Sequence, residues 1–552
     1  MKKSILSISL LCSMIFTAGL FGQNATTEVI NVEKSYTPDV KSQKKAQLSP
    51  VKNTSDSKKL PVTYITDTQA SQVYSSAQPI SALSIPQSVV EENTIYPNYI
   101  KAGFGYNIST MGQAYYKTDL GKTTLWGKIN HDRAQNNEET PYSSKSVYSH
   151  TDATVGVYRN IGSYQGGVKL YTNGNAFSNN AQLPVGDISD LLIIDKFKNT
   201  SFGGQAYVKS LRDGQFFDKL TVNAEFFNGI MDCKETAITA DARFNIKIQN
   251  WKISLDARWA LYDEKRSTGD AIEKDDMMLL SAVPQISYKT RTFDARVGVR
   301  IEAIGGSING AEFHIMPEAH ASVKIANGAV NFYGDLTSGA KMNTLGSLTQ
   351  INPYLSPYSS PTYTVERIKA RAGITAAISR KLKLDANASY IKAEDAPLWI
   401  YDCLFAQYLV ERENVDIATL ELSARYDITK SQHISAFAQY TRSASDVLSD
   451  ASYVPEFRIG ASWAGKFANE KVGVYTRLAY NSSSALGMFI GNDFTEVKND
   501  GYVEYYGEVS YKLHKRWSVF VNINNTIDGR TPAIYGFEKV GLRALAGVKF
   551  NF

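Results

Sequence analysis

Side chains able to do chemistry are few in this chain and spaced against the usual sites. It holds six histidines. His314 and His320 fall on one face of a strand, but six residues of strand set them about 20 Å apart, too far for one metal ion without a bend. His131-Asp132 and His150-Thr-Asp152 offer pairs rather than a ligand set. No serine, histidine and acid lie in a pattern that reads as a triad, although a fold joining distant strands would hide one. There is no phosphate loop, no paired-cysteine motif and no recognition helix. Catalytic, cofactor and metal residues are therefore expected to be none, and the chain is not expected to be an enzyme.

The remaining chemistry is recognition. Residues 340–363 carry Pro353, Tyr354, Pro357, Tyr358, Pro361 and Tyr363. Tyrosine offers a large face and a hydroxyl, which suits sugars or peptides. Tyr354, Tyr358 and Tyr363 are thus candidate loop contacts; an aromatic girdle or a packed lid are the other readings of the same residues. Near the start, Glu28, Val29, Ile30, Asn31 and Val32 form a short extended apolar segment. Such a segment can add as a strand to the sheet of a partner; a plain tail of ordinary β propensity is the alternative.

The elements that position these residues are strands. Counted back from the end, Phe552, Phe550, Val548, Ala546, Ala544, Leu542 and Val540 are apolar, and Asn551, Lys549 and Arg543 stand in the other set. Successive side chains of a strand point to opposite faces. The same alternation recurs from Tyr99 onward, as in Val503, Tyr505, Val509 and Tyr511 against Glu504, Glu508 and Lys512. Hydrophobic residues make up 43% of the 552, and there are 33 Tyr, 24 Phe and 6 Trp. After the first residues no run reaches the roughly 20 apolar residues of a spanning helix. An aromatic-rich chain that is polar on average and alternates by twos is the profile of an antiparallel transmembrane β-barrel. The formal charge of +5 is too small to argue for nucleic acid.

Connections alternate too. Short turns are expected near Gly121, Gly162, Gln249-Asn250, Thr290-Arg291, Asn327-Gly328, Arg380-Lys381, Thr429-Lys430, Asn469-Glu470 and His514-Lys515. Longer ones are expected over about 133–147, 174–199, 264–277, 340–362, 393–412, 443–453, 483–500 and 528–538, with 393–412 readable as a hairpin or as two more strands. The tally is a barrel of about 22 strands. Val509, Tyr511, Val519 and Val521 are expected to meet lipid, and replacement of Glu508 or Ser518 on the opposite face is expected to be cheap. Trp126, Tyr506, Phe520, Arg543 and Lys549 point inward on this scheme. With folded-in loops they would close an otherwise wide lumen.

Residues 1–22 read as a signal peptide, with Lys2 and Lys3 before an apolar run. Cys12 follows Leu11, where lipid modification needs a small residue. Residues 23–97, rich in Pro, Ser, Thr, Lys and Gln, read as an extended or disordered periplasmic segment, and 98–552 as the barrel. Only Cys233 and Cys403 remain after the signal, too few for a disulfide-built fold.

Gly547, Phe550 and Phe552 resemble the C-terminal signal that assembly machinery reads in bacterial outer-membrane barrels; Leu545 stands where that pattern prefers a large polar residue. Residues 506–513, Trp517 to Asn525, Tyr535-Gly536-Phe537, Gly541 and Leu545 to Phe552 resemble the ending of TonB-dependent receptors. Glu28 to Val40 and Asn352-Pro-Tyr-Leu-Ser-Pro357 are similar to stretches of a short, plugless group of that family. Residues 23–97 are too few and too irregular for the family's plug domain. The resemblance implies a barrel of the Gram-negative outer membrane, its N-terminal segment in the periplasm, in transport of a substrate that these motifs do not specify. A structural or assembly barrel that docks lipoproteins or other envelope proteins is the alternative. Implied partners are outer-membrane lipid, the barrel-assembly machinery, and TonB or surface and periplasmic lipoproteins; no nucleic acid and no cofactor are implied.

Overall fold

In the computed structural model the strand Tyr99–Gly105 pairs antiparallel with Arg543–Asn551, from Tyr99 opposite Asn551 to Gly105 opposite Leu545. That pairing joins the two ends of the sheet, so the wall has no free edge. The structure describes residues 98–552 apart from 107, 137–145, 180, 182–193, 195, 269–270, 308–309, 446–453, 491–492, 525–533 and 538–541. The expected signal peptide and the segment 23–97, with Glu28 to Val32, lie outside the described residues.

Neighbours in the wall follow chain order up to Val472–Asn481, which pairs with Tyr502–Lys512. The hairpin between them, Ser484–Ile490 and Asp493–Asn499, stands off the wall. Of the 24 strands, 22 therefore close the barrel, all of them antiparallel, as expected. Closure leaves no strand edge whose N–H and C=O groups would face lipid, which cannot bond them.

Each strand keeps the expected faces. Val509, Tyr511 and Val521 lie outward, Val509 with half its surface open, while Glu508, Phe520, Arg543 and Lys549 are buried toward the lumen. Aromatic rings gather on the outer face near the short turns: Trp517 against Phe550 at 4.6 Å, and Tyr116 against Phe552 at 6.3 Å. Such girdles mark a membrane interface. One expectation is corrected. Glu508 is not a cheap position, because it forms a buried ion pair with Lys101 at 3.1 Å and accepts the Tyr506 hydroxyl at 2.8 Å. Removing one member of such a pair strands the other charge.

Small turns join the strands at one end of the barrel. Gly121 and Gly162 hold φ of 65° and 59° in two-residue hairpins, a conformation that favours glycine. The turn at 211–216 was not anticipated. Residues 264–277 are corrected from a long connection to strand, with Thr268 opposite Ala271. Outward Asp263 and Lys265 are charged there because the strands rise past the apolar band, and charge in a strand reads as loop. Residues 393–412 form one hairpin, Leu382–Asp402 with Gln407–Thr429.

Three register shifts lie on adjacent strands, between Thr337 and Gly339, Glu366 and Ile368, and Ala393 and Ala396. Asp395 has a φ of 52°. Bulges bend a strand and re-aim its later residues. Past the third shift, Leu398, Trp399, Ile400 and Tyr401 are buried in succession, so both faces of the hairpin tip are covered.

Inward aromatics lie flat on inward glycines of the next strand. A Cβ at Gly156 would meet the Trp126 ring at 2.7 Å, and one at Gly547 would meet Phe520 at 2.5 Å. Cations cap several of these rings, as Lys101 does over Phe520 at 4.2 Å and Arg371 over Tyr333 at 5.5 Å. The bulky lumen residues thus line the wall.

Candidate functional site

The site is a lid across the loop end. It begins at the helix Leu345–Ile351, whose Thr344 cap accepts the Ser347 N–H at 3.0 Å. Leu345 and Leu348 are buried, and the helix ends where Asn352 donates to the Leu348 carbonyl. The chain then runs through Pro353 and Tyr354. Tyr354 stacks on Phe537 with centroids 3.5 Å apart and planes 7° apart. It meets Phe197 edge-on at 5.3 Å and Phe177 at 5.9 Å. Backbone bonds tie it to the bent hairpin: Tyr408 N–H to the Tyr354 carbonyl at 2.8 Å, and Ser356 N–H to the Tyr408 carbonyl at 2.7 Å. The Tyr408 hydroxyl donates to the Tyr535 carbonyl at 2.9 Å. The strand Ser484–Ile490 runs parallel to Ile400–Asp402 and adds Leu486 and Met488.

One apolar core results. It runs from Tyr148, Phe177, Phe197 and Phe227 on one side of the wall through Tyr354 and Phe537 to Trp399, Tyr401 and Tyr408 on the far side. A cavity of about 20 Å³ remains between lid and wall beside Cys233 and Leu345, space for about one water molecule.

Charged wall residues grip this lid from below. Glu235 accepts the Leu345 and Gly346 N–H groups at 2.6 and 2.8 Å and the Tyr262 hydroxyl. Tyr262, Glu264 and Arg266 are successive inward residues of Trp251–Thr268. Arg266 pairs with Glu264 at 3.5 Å and Asp275 at 3.1 Å, and donates to the Ser359 carbonyl at 3.2 Å. Sequence reading passed over these residues, since charged inward positions recur all round the lumen. Their signal is an acid, a tyrosine and an arginine at every second position near a loop rich in uncharged residues.

Of the candidate tyrosines, Tyr354 and Tyr363 are buried and Tyr358 is half exposed. Burial raises the Tyr354 hydroxyl pKa, so it stays protonated. The single Tyr363 hydroxyl proton is shared between the Met278 and Gly305 carbonyls, both 2.9 Å away, and so ties its strand to other wall strands. Phe550 and Phe552 sit in the outer girdle, and Gly547 lies under the Phe520 ring. Leu545 packs into the lumen on Met111 and Phe520, a place for an apolar side chain. His314 meets Arg367 at 2.8 Å and His320 meets Asp335 at 2.6 Å, in separate networks. Among the described residues no group of three His, Cys, Asp or Glu is placed to hold a metal. Cys233 and Cys403 are free, buried thiols.

Solved structures share this fold. The FrpB iron transporter from Neisseria meningitidis (F3-3 variant) superposes with a TM-score of 0.64 at 12% identity, over 84% of this chain and 82% of that one. The ferric yersiniabactin uptake receptor FyuA from Yersinia pestis gives 0.59 at 13% identity, over 82% and 80%. P. aeruginosa FpvA, solved with a heterologous pyoverdine and iron, gives 0.62 at 10% identity, over 83% and 72%. No curated protein sequence matches the chain. The family model for the TonB dependent receptor-like β-barrel matches residues 52–525, most of the chain, so the protein belongs to that family and is an outer-membrane barrel.

Proposed function

We propose that the protein moves a solute across the outer membrane through a lumen that its own loops hold shut. The apolar core that bridges opposite sides of the wall through Tyr354 and Phe537 carries this reading. A 22-strand wall encloses a wide space, and its inward faces are polar and charged, as a water-filled path requires. A barrier confined to one end is what a gate needs.

Glu28 to Val32 supply the coupling strand in this reading. Asn98 lies at the short-turn end, where its carbonyl accepts the Phe552 N–H at 3.0 Å. The preceding chain thus starts from the end opposite the lid, which we assign to the periplasm. There an extended segment can add to a sheet of TonB. Tyr358, half exposed within the lid, is the candidate contact for cargo arriving from outside. Gly547, Phe550 and Phe552 serve the barrel-assembly machinery.

Planar-bilayer recording tests the gate. The intact protein is expected to show rare openings, and a variant with residues 345–361 replaced by a short Gly-Ser linker to show large, steady conductance. A lidless variant that stays closed would overturn the reading and favour a barrel that docks envelope lipoproteins.

A further inference from the structure

The lid segment from Leu345 to Pro361 contains no charged residue. The charges that hold it belong to the wall, and they bind its backbone rather than its side chains. Glu235 takes the N–H groups of Leu345 and Gly346 at the start of the segment. Arg266 donates to the carbonyls of Pro357 at 3.4 Å and Ser359 at 3.2 Å near its end. Between the two grips lies a continuous chain of contacts. The Tyr262 hydroxyl donates to Glu235 and reaches Glu264 at 3.3 Å, and Glu264 faces Arg266 at 3.5 Å. The Cys233 thiol donates to Glu264 at 3.6 Å. Glu235, Glu264 and Arg266 are all nearly fully buried.

We propose that Glu235 and Arg266, joined through Tyr262 and Glu264, are the latch that sets how readily the lid opens. The inference rests on the gated-lumen reading above.

The physical argument is one of balance. Closed, the lid gains charge-assisted hydrogen bonds at both ends, the stronger kind in a dry setting. The same closure keeps buried a carboxylate and a guanidinium that water would otherwise solvate, which is costly. Opening returns both to water. The lid leaves no ion of its own behind, and Glu264, Arg266 and Asp275 stay paired on the wall. Two large opposing terms attached to one segment leave a small difference, as a switch requires. A lid held by apolar packing alone has no such compensation.

Glu235→Ala and Arg266→Ala, recorded in planar bilayers, test this. Each loses a charged hydrogen-bonding partner, and the open fraction is expected to rise about 10- to 100-fold. Glu235→Gln keeps an acceptor oxygen and is expected to fall between Glu235→Ala and the natural protein. Heat-modifiable migration on gels, unchanged in all three, shows an intact wall. If an alanine variant fails that control, Tyr262→Phe removes only the hydroxyl that joins the two grips. Hydrogen exchange in residues 344–361 then reads the lid directly, with an expected rise. The latch is overturned if the linker variant conducts while the folded latch variants stay as closed, and as protected from exchange, as the natural protein. If the linker variant also stays closed, the gate reading fails and the latch with it.

Discussion

Tyr354 and Phe537 lie face to face 3.5 Å apart, although 182 intervening residues separate them in the chain. The stack joins the lid segment to the connection before the last strand, so neither loop can lift alone. Tyr354→Ala removes a buried ring that also touches Phe177 and Phe197. Aromatic truncation in a packed core costs roughly 3–5 kcal/mol. Limited proteolysis is expected to cut residues 345–361 in the variant and spare them in the natural protein, with heat-modifiability unchanged in both. Loss of heat-modifiability would place Tyr354 in barrel assembly instead.

The two thiols report the same closure. Burial raises the pKa of both Cys233 and Cys403, away from the reactive thiolate. A water-soluble maleimide at neutral pH is expected to leave both unmodified in the intact protein. In Tyr354→Ala both are expected to label, because both belong to the core that the stack holds together. Equal labelling with and without the lid disrupted would show that the loop end is already open.

The wall was legible in the sequence, and the lid only as one of several readings of residues 340–363, for one physical reason. A wall strand faces lipid on one side and a wet lumen on the other, so its residues alternate, and Val509 can be told from Glu508 by type alone. The hairpin tip is covered on both faces, so Leu398, Trp399, Ile400 and Tyr401 run apolar without alternation. A short apolar run does not reveal what covers it. Gly121 and Gly162 read as turns by residue type, and the positive φ that each holds is one that favours glycine. Nothing local distinguishes Tyr354, stacked in the core, from Tyr358, half exposed four residues later. Their difference is set by Phe537. Glu235 and Arg266 stayed hidden likewise, since their partners are backbone atoms about 90 to 110 positions away.

Substitution on the two wall faces separates lipid exposure from lumen packing. Arginine at Val509 meets hydrocarbon and is expected to cost roughly 2–4 kcal/mol. Ser518→Asn, on the lumen side, is expected to be nearly neutral. Glu508→Ala leaves Lys101 buried without its carboxylate, and breaking such a pair costs about 3–5 kcal/mol. Urea unfolding from lipid vesicles measures all three. Restoring the Glu508→Ala variant by Lys101→Met would assign the loss to the stranded ammonium. An unrestored double variant would assign it to the packing of Phe520 and Tyr506 instead.

Removal of residues 33–90 is expected to leave assembly of the barrel intact. Among the described residues, the contacts that close the wall begin at Asn98. Its carbonyl accepts the Phe552 N–H at 3.0 Å, and its side-chain oxygen accepts the Lys117 N–H at 2.7 Å. The Tyr99 ring then carries the Lys549 ammonium at 4.3 Å, and the strand from Tyr99 pairs along its length with the last strand. The residues read as the assembly signal, Gly547, Phe550 and Phe552, are all on that last strand or just beyond it. A chain that keeps the signal peptide, residues 23–32 and residues 91–552 therefore retains every described closing contact. Membrane fractionation with heat-modifiable migration checks this, with wild-type amounts of folded barrel expected. On the proposed function, removal of Glu28 to Val32 alone is expected to abolish energised uptake at an unchanged barrel level, because that reading makes this segment the strand offered to TonB. Loss of folded barrel on removing 33–90 would show that this stretch belongs to the barrel's own assembly.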